Sequence, residues 1–554
     1  MWEMLKEWIP IIADDYVWGW GPELLGGLPL MVILLLGTGI ILTLVTGLIQ
    51  VRRFKTASSM VLRGAFKKDE SEEEGDITPF QALMTALSAT VGNGNIAGVA
   101  SAIALGGPGA AFWMWITAVF GMATKYAEAV LGVKYRKVAE DGSMAGGPMY
   151  YCEYGIRPGF MLTEQSLENL KSDGVPASLV EKLKSMKNEK YKKNEFKDLV
   201  KGKIGEDHFI TYESLIFEHA IRIGGKLGRG LGIFFAICGT IACLIGTGNM
   251  FQTNSMAVSV ATQLAEAGII SGGAQTTVAQ GFVGAIVTIL VGMVIIGGVK
   301  RIAQVAEKLV PTMIVLYFAS AIIIILWNIT AVPSAIALIF QSAFTPTAAL
   351  GGAVGIGIQQ AIRYGVARGI LSNESGLGSA PIAHGAAKTK SPIRQGQIAM
   401  MGTFIDTIIV CSLTAIMITV TGAYLEGPLY KAEGALESID MTMFAFSSVI
   451  RGGGTVVVGA SLLFGISTLL GWCYYGEKCL EYLAGIRIKT AYRIVFITLM
   501  FLGSLPSQEG IRVIVKIGDI GNAFMAFPNL LALLLLAKEV GRITREHLSK
   551  ATVN

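Results

Sequence analysis

Residues 88–98 read SATVGNGNIAG, inside a segment whose two flanks have the character of a membrane helix. Phe80 to Leu87 before it reads as helix, and Ile96 to Leu105 after it resumes an apolar helical run. Between them Gly92, Asn93, Gly94 and Asn95 alternate glycine with asparagine. Glycine costs about 1 kcal/mol relative to alanine inside a helix, and asparagine is also a poor helix former. The run therefore predicts an opened helix at bilayer depth, which is tolerated only where the backbone is buried in protein or lines a cavity. One half-helix then ends in carbonyls without donors, and the next begins with amides without acceptors. The first end attracts a cation and the second an anion. A zwitterion with a cation beside it would satisfy both.

Composition supports a membrane setting for this break. The chain has 554 residues, 52% hydrophobic and only 15% charged, with a mean hydropathy of +0.57. These values lie outside the range of a soluble enzyme and predict an all-α polytopic membrane protein in contact with lipid. Its 68 glycines suit close helix packing. Cys152, Cys238, Cys243, Cys411, Cys473 and Cys479 are scattered without CxxC spacing, so free thiols are expected. No HExxH, Walker loop or nucleophile–base constellation is present, so neither catalysis nor nucleic-acid binding is expected. GNGNIA fits the dinucleotide pattern G-x-G-x-x-A, but that reading needs a preceding strand, and a membrane helix stands there instead. The first 23 residues lack the basic start and cleavage site of a signal peptide. Trp2, Trp8, Trp18 and Trp20 suit an interfacial helix.

Eleven spans are predicted, at 24–49, 79–101, 109–134, 230–262, 281–299, 308–328, 347–371, 396–423, 441–476, 490–506 and 513–537. Every second loop is basic, with Arg52, Arg53 and Lys55 after the first span and Lys538, Arg542 and Arg545 after the last. The positive-inside rule then puts the N-terminus outside and the C-terminus in the cytoplasm of a cell membrane. Four pieces follow: 1–78 with an extra helix and a cytoplasmic loop, a core formed by 79–151 and 230–537, a charged cytoplasmic insertion at 152–229, and a tail at 538–554. The insertion reads as two amphipathic helical patterns divided by Gly174-Val-Pro176.

These residues together resemble the alanine or glycine:cation symporter family. The resemblance rests on GGPGAAFWMWITAVFG (106–121), TVGNGNIAG, KYRKVAEDGSMAGGPMYY, GTGNMFQTNS, ARGILSNESGLGSAPIAHGAAKT and FGISTLLGWCYYGEK. It runs from about Pro79 to Pro528, with residues roughly 155–212 and a longer stretch around 424–440 as departures. The resemblance implies sodium-coupled uptake of alanine or glycine on a five-plus-five inverted repeat of the leucine-transporter type, with one additional N-terminal helix. It also implies a second interrupted helix at about 347–371, for which the glycines of LGGAVGIG (350–357) are the expected break.

On that fold the Asn93 and Gly94 amides would hold the substrate carboxylate, and the Asn95 side chain could reach either the carboxylate or the ammonium. Asn249 and Gln252 share a helix face, with Gln252 the expected substrate contact. For Na+, the carbonyls of Ser88, Val91 and Phe464 with the hydroxyls of Ser467 and Thr468 give five neutral oxygens. Calcium or magnesium would call for carboxylates instead. Trp472, one turn beyond Thr468, would close the pocket over the side chain. Asp406 is a lone intramembrane carboxylate, open to roles as a second cation ligand, a proton site or a structural acceptor. Lys125 and Glu128, three apart, are expected to pair with each other. Two alternatives remain: a proton-coupled carrier on the same fold, and an amino-acid-sensing membrane protein.

Overall fold

The computed structural model describes residues 8–9, 11–12, 29–66, 73–156, 159–246, 248–271, 273–345, 358–431, 435–436, 438–506 and 508–553. The expected N-terminal interfacial helix falls mostly outside this set, and the LGGAVGIG glycines fall wholly outside it. The chain is built almost entirely of helices: α1 (Leu30–Val45), α2 (Phe54–Phe66), α3 (Pro79–Thr90), α4 (Val99–Gly106), α5 (Gly109–Lys134) and α6 (Pro148–Gly155) precede the insertion. The insertion holds α7 (Glu164–Ser172), α8 (Ala177–Leu183), α9 (Lys193–Ile204) and α10 (Glu206–His219). After it come α11 (Lys226–Ile245), α12 (Met250–Glu266), α13 (Ala274–Ile295), α14 (Gly298–Trp327), α15 (Val332–Ser342), α16 (Ile358–Asn373) and α17 (Ala380–Gly385). The last are α18 (Pro392–Thr403), α19 (Ser412–Val420), α20 (Ile439–Ser447), α21 (Gly453–Ala484), α22 (Lys489–Gly503) and α23 (Gln508–Val553).

Among the described residues seven helical stretches are long and apolar enough to cross a membrane: 109–134, 226–265, 274–295, 298–327, 392–420, 453–484 and 513–549. The other expected spans appear as shorter or interrupted helices. The expected span 441–476 is divided, because Gly452 takes φ +76 between α20 and α21. The 230–262 span is likewise divided, α11 ending at Ile245 and α12 starting at Met250.

The first interruption lies where the sequence puts it. Thr78 caps α3 reciprocally with Gln81, its hydroxyl accepting the Gln81 amide at 3.1 Å while Gln81 Oε1 accepts the Thr78 amide at 3.0 Å. The helix stops at Thr90, Val91 is extended (φ −77°, ψ 94°), and a π-helical turn over Gly94–Gly98 leads into α4. The second interruption expected at 350–357 lies outside the described residues, and a further one is seen downstream. It falls at 374–379, between α16 and α17, where Glu374, Gly376 and Gly378 take φ of +56°, +93° and +83°.

The two broken helices pack side by side in opposite directions, α16 against α4 and α17 against α3, with α5 touching both. One pair of their ends is tied: the Asp76 amide donates to the Ala386 carbonyl at 2.9 Å, and the Lys388 amide to the Ile77 carbonyl at 2.7 Å. Arg136 clamps the same corner, its guanidinium donating to the carbonyls of Ala387 at 2.6 Å, Glu74 at 2.9 Å and Thr389 at 3.0 Å.

The insertion is more than the two amphipathic helices expected. An antiparallel sheet joins Gly159–Met161 to Tyr191–Lys192 on one side and to Ile221–Ile223 on the other, and α7 to α10 pack with it. Phe160, Leu170, Leu183, Phe196 and Val200 form a core of its own, separate from the membrane core. The helical periodicity hid these strands because they are only two or three residues long. Phe196→Ala should cost about 3–5 kcal/mol of this small core. Trypsin should then cut within 160–220 while the membrane core stays intact; an unchanged digestion pattern would contradict a separate core.

Candidate substrate and cation site

A single side chain holds the first break open. Asn95 Oδ1 accepts the Gly92 amide at 2.8 Å, and the Asn95 amide donates to the Gly92 carbonyl at 3.0 Å. In an unbroken helix those two amides would serve the carbonyls of Ser88 and Val91, four residues earlier. Both carbonyls thus lose their helical donor. The Val91 carbonyl turns toward α21, where it accepts the Ser467 hydroxyl at 3.3 Å. Ser467 and Thr468 also donate to the Phe464 carbonyl, at 2.8 and 2.9 Å. Such back-bonding is common for hydroxyls in membrane helices, but here it gathers both hydroxyls and the Phe464 carbonyl against the break. A Cβ at Gly92 would lie 2.3 Å from Thr468 Oγ1, so this approach requires glycine.

The π-turn frees further carbonyls, and these are satisfied by the protein. Thr414 donates to the Asn95 carbonyl at 2.8 Å and Thr442 to the Ile96 carbonyl at 3.2 Å. The rest of the Asn95 side chain is also committed. Its Nδ2 donates to Asp406 Oδ1 at 2.7 Å and to the Ser372 hydroxyl at 3.1 Å. Asp406 Oδ2 accepts the hydroxyls of Ser372 at 2.9 Å and Thr407 at 2.8 Å. Asp406 sits in a second π-helical segment, Phe404–Cys411, and joins the first break to the end of α16.

Beside the break is a cavity of about 140 Å³. Gly92, Gly94, Gln252, Thr468 and Trp472 line it, together with Arg368, Ser372 and Glu374. Of the residues expected to contact substrate, Gly94, Gln252, Thr468 and Trp472 are thus brought together. Asn93 and Asn95 do not line the cavity. Asn95 is spent on Gly92 and Asp406, so its expected reach to substrate gives way to a structural role. Asn93 is fully buried with both side-chain polar atoms unpaired, while its amide opens the second half-helix beside that of Gly94. Of the expected cation ligands, Val91, Phe464, Ser467 and Thr468 converge; the Ser88 hydroxyl bonds the Thr85 carbonyl at 2.8 Å, leaving its own carbonyl as the available group.

Trp472 closes one wall, its ring lying where a Cβ at Gly248 would come within 2.4 Å. Asn249 lies at the third interruption and bridges the carbonyls of Leu244 and Phe496 through Nδ2, both at 3.1 Å. This fits a structural tie between helices.

Sequence reasoning missed Glu374, Ser372 and Arg368. The signal was present in SNESGLGSAP (372–381), where two glycines and a proline end a helical run. The expected Lys125–Glu128 pair is also replaced. Glu128 Oε1 accepts the amides of Gly376 at 3.1 Å and Gly378 at 3.0 Å and Nδ2 of Asn529 at 2.7 Å, so this carboxylate fastens the second break. Lys125 Nζ is buried without a hydrogen-bond partner among the described residues.

Comparison with known proteins gives the family. A sequence model described as the sodium:alanine symporter family matches residues 14–163 and 219–553. The chain belongs to the sodium:alanine symporter family. It is therefore a transporter rather than an enzyme. The unmatched stretch, 164–218, is the body of the insertion. The symporter is 41% identical over 526 residues to the sodium/alanine symporter AgcS of Methanococcus maripaludis, covering 95% of this chain and 93% of that one. It is 40% identical over 553 residues to an uncharacterized transporter of Haemophilus influenzae, covering 100% and 98%. A putative sodium/proton-dependent alanine carrier protein of Bacillus subtilis, YrbD, is 32% identical over 523 residues, covering 92% and 87%.

Asn95→Ala should remove the Gly92 cap and leave buried groups of Asp406 and Gly92 unpaired, at about 1–3 kcal/mol each. The purified protein should melt several degrees lower, and Asn95→Asp, which sets two carboxylates together, lower still. Unchanged melting of both variants would refute the structural role of Asn95.

Proposed function

We propose that the symporter carries alanine or glycine into the cell together with one Na+, by alternating access on a five-plus-five inverted repeat of eleven spans. Its N-terminus would lie outside and its C-terminus in the cytoplasm. The observation that carries this reading is the freed Val91 carbonyl meeting Ser467 beside a cavity of about 140 Å³. A cavity of about 150 Å³ holds one benzene, and alanine has the same count of about six non-hydrogen atoms. The cavity is thus matched to the smallest amino acids. Neutral oxygens from Ser88, Val91, Phe464, Ser467 and Thr468 suit a monovalent ion, since divalent ions recruit carboxylates. The opposed packing of two broken helices is what an inverted repeat requires. AgcS of Methanococcus maripaludis, a sodium/alanine symporter by name, supports the same substrate and ion.

The energetics are sufficient. One positive charge entering through ~100 mV contributes about 2.3 kcal/mol, and a roughly tenfold sodium gradient adds about 1.4 kcal/mol. Together they sustain a substrate gradient of several hundredfold. Proton coupling is a second reading, favoured by the burial of Asp406 and the name of the Bacillus subtilis carrier. Asn95 Nδ2 donates to Asp406 Oδ1, and two hydroxyls meet Oδ2, an arrangement that suits a carboxylate held as an acceptor. This favours sodium as the coupling ion, and uptake across an imposed pH gradient without sodium separates the two readings.

Cation and substrate share one break, so each should raise the other's affinity by an equal factor. Thr468→Ala should raise the sodium concentration for half-maximal uptake in proteoliposomes and lower alanine uptake with it, about tenfold or more. A wild-type sodium requirement in that variant would exclude the proposed cation site.

A further inference from the structure

The cavity has an anion-binding end in the amides that open the second half-helix, and its lining includes one buried carboxylate. Glu374 is 1% exposed and lines the same cavity as Gly92 and Gly94. It stands at the first residue of the second break, in the left-handed region at φ +56°. Such backbone strain in a non-glycine residue persists where the surroundings over-determine it. Here the Glu374 amide donates to the Ile370 carbonyl at 2.7 Å, and the carboxylate accepts the Ser379 hydroxyl on Oε2 at 2.5 Å. These bonds orient the side chain and leave Oε1 without a hydrogen bond among the described residues. Arg368 lines the cavity too, yet forms no ion pair with Glu374 among the described residues. The one cation that acts on Glu374 from within the protein is Lys125, whose buried Nζ makes no hydrogen bond to it among the described residues. Oε1 is left open to a donor from the cavity, which a buried carboxylate favours.

We propose that Glu374 holds the ammonium group of the transported amino acid, while the amides of the first break hold its carboxylate. This rests on the reading of the protein as an amino-acid symporter and takes the role once open to Asn95, whose side chain is committed elsewhere. A charge-assisted contact of this kind selects molecules that carry both an ammonium and a carboxylate. It is separate from the cation cage, which draws on Ser88, Val91, Phe464, Ser467 and Thr468. Asp406 accepts donors on both oxygens, Glu128 accepts three on Oε1 alone, and neither lines the cavity, which is what sets Glu374 apart.

The test uses the full chain in proteoliposomes, with labelled alanine uptake as one readout and stabilisation of the detergent-solubilised protein by NaCl over KCl as the other. Glu374→Gln should raise the KM for alanine at least tenfold and Glu374→Asp less, while the sodium-dependent shift in melting temperature persists in both. A wild-type KM in Glu374→Gln overturns the proposal, and so does loss of the sodium shift in both variants, which would assign Glu374 to the cation or to the fold. On the wild-type protein, propionate, which is alanine without its ammonium, should not compete at hundredfold excess. Competition equal to that of alanine overturns the proposal without recourse to a variant. If the wild-type protein takes up neither alanine nor glycine, the amino-acid reading itself falls, and with it the assignment of Glu374.

Discussion

The hydrogen bond from the Gly92 amide to Asn95 Oδ1, at 2.8 Å, is the contact from which the rest of the site follows. It replaces an intrahelical bond with a side-chain bond three residues on. An open turn in the middle of a buried helix would otherwise leave several polar backbone groups unmet, each at a cost of several kcal/mol in a water-free interior. Asn95 meets part of that demand on the amide side, and Thr414 and Thr442 meet the carbonyls released by the π-turn. What remains unmet faces α21 and the cavity.

The second break is fastened by charge rather than by an amide side chain. Glu128 from α5 accepts two backbone amides of the loop at 374–379, and Asn529 from α23 donates both to Glu128 and to the Gly376 carbonyl, the latter at 2.8 Å. Asp406 spans between the breaks through Asn95 and Ser372. The two broken helices are also joined at one end by the strand-like contact of Ile77 with Ala387 and the Arg136 clamp. The two breaks are thus connected by a short chain of buried hydrogen bonds running through Asn95, Asp406 and Ser372. Such a connection would let two ligands act on a single conformational change.

The first break was legible in sequence because two glycines and two asparagines interrupt an otherwise apolar run, and nothing else in such a segment explains them. Ser467, Thr468 and Trp472 were legible through the family resemblance, and geometry brings them to the site. The break expected at LGGAVGIG lies outside the described residues, and the break at 374–379 is an additional one, which that glycine spacing did not signal. The observed turn begins with Glu374 in a left-handed conformation, which glutamate does not favour and only tertiary contacts enforce. The same blindness hid the partner of Glu128: a carboxylate three residues from a lysine suggests a local pair, whereas its acceptors are taken by a loop some 250 positions away, at Gly378. The small sheet of the insertion escaped because strands of two or three residues carry no readable alternation.

In the proposed site the carbonyls released at Val91 and Ser88 bind the ion, and the amide released at Gly94, which lines the cavity, binds the substrate. The most direct test is an experimental density map of the protein in sodium and alanine, compared with one in potassium alone. The account predicts an ion peak touching the Val91 carbonyl and the Ser467 and Thr468 hydroxyls, with alanine density beside Gly94. An ion seated against Asp406 instead, or an unbroken helix running through Val91 and Gly92, would contradict it.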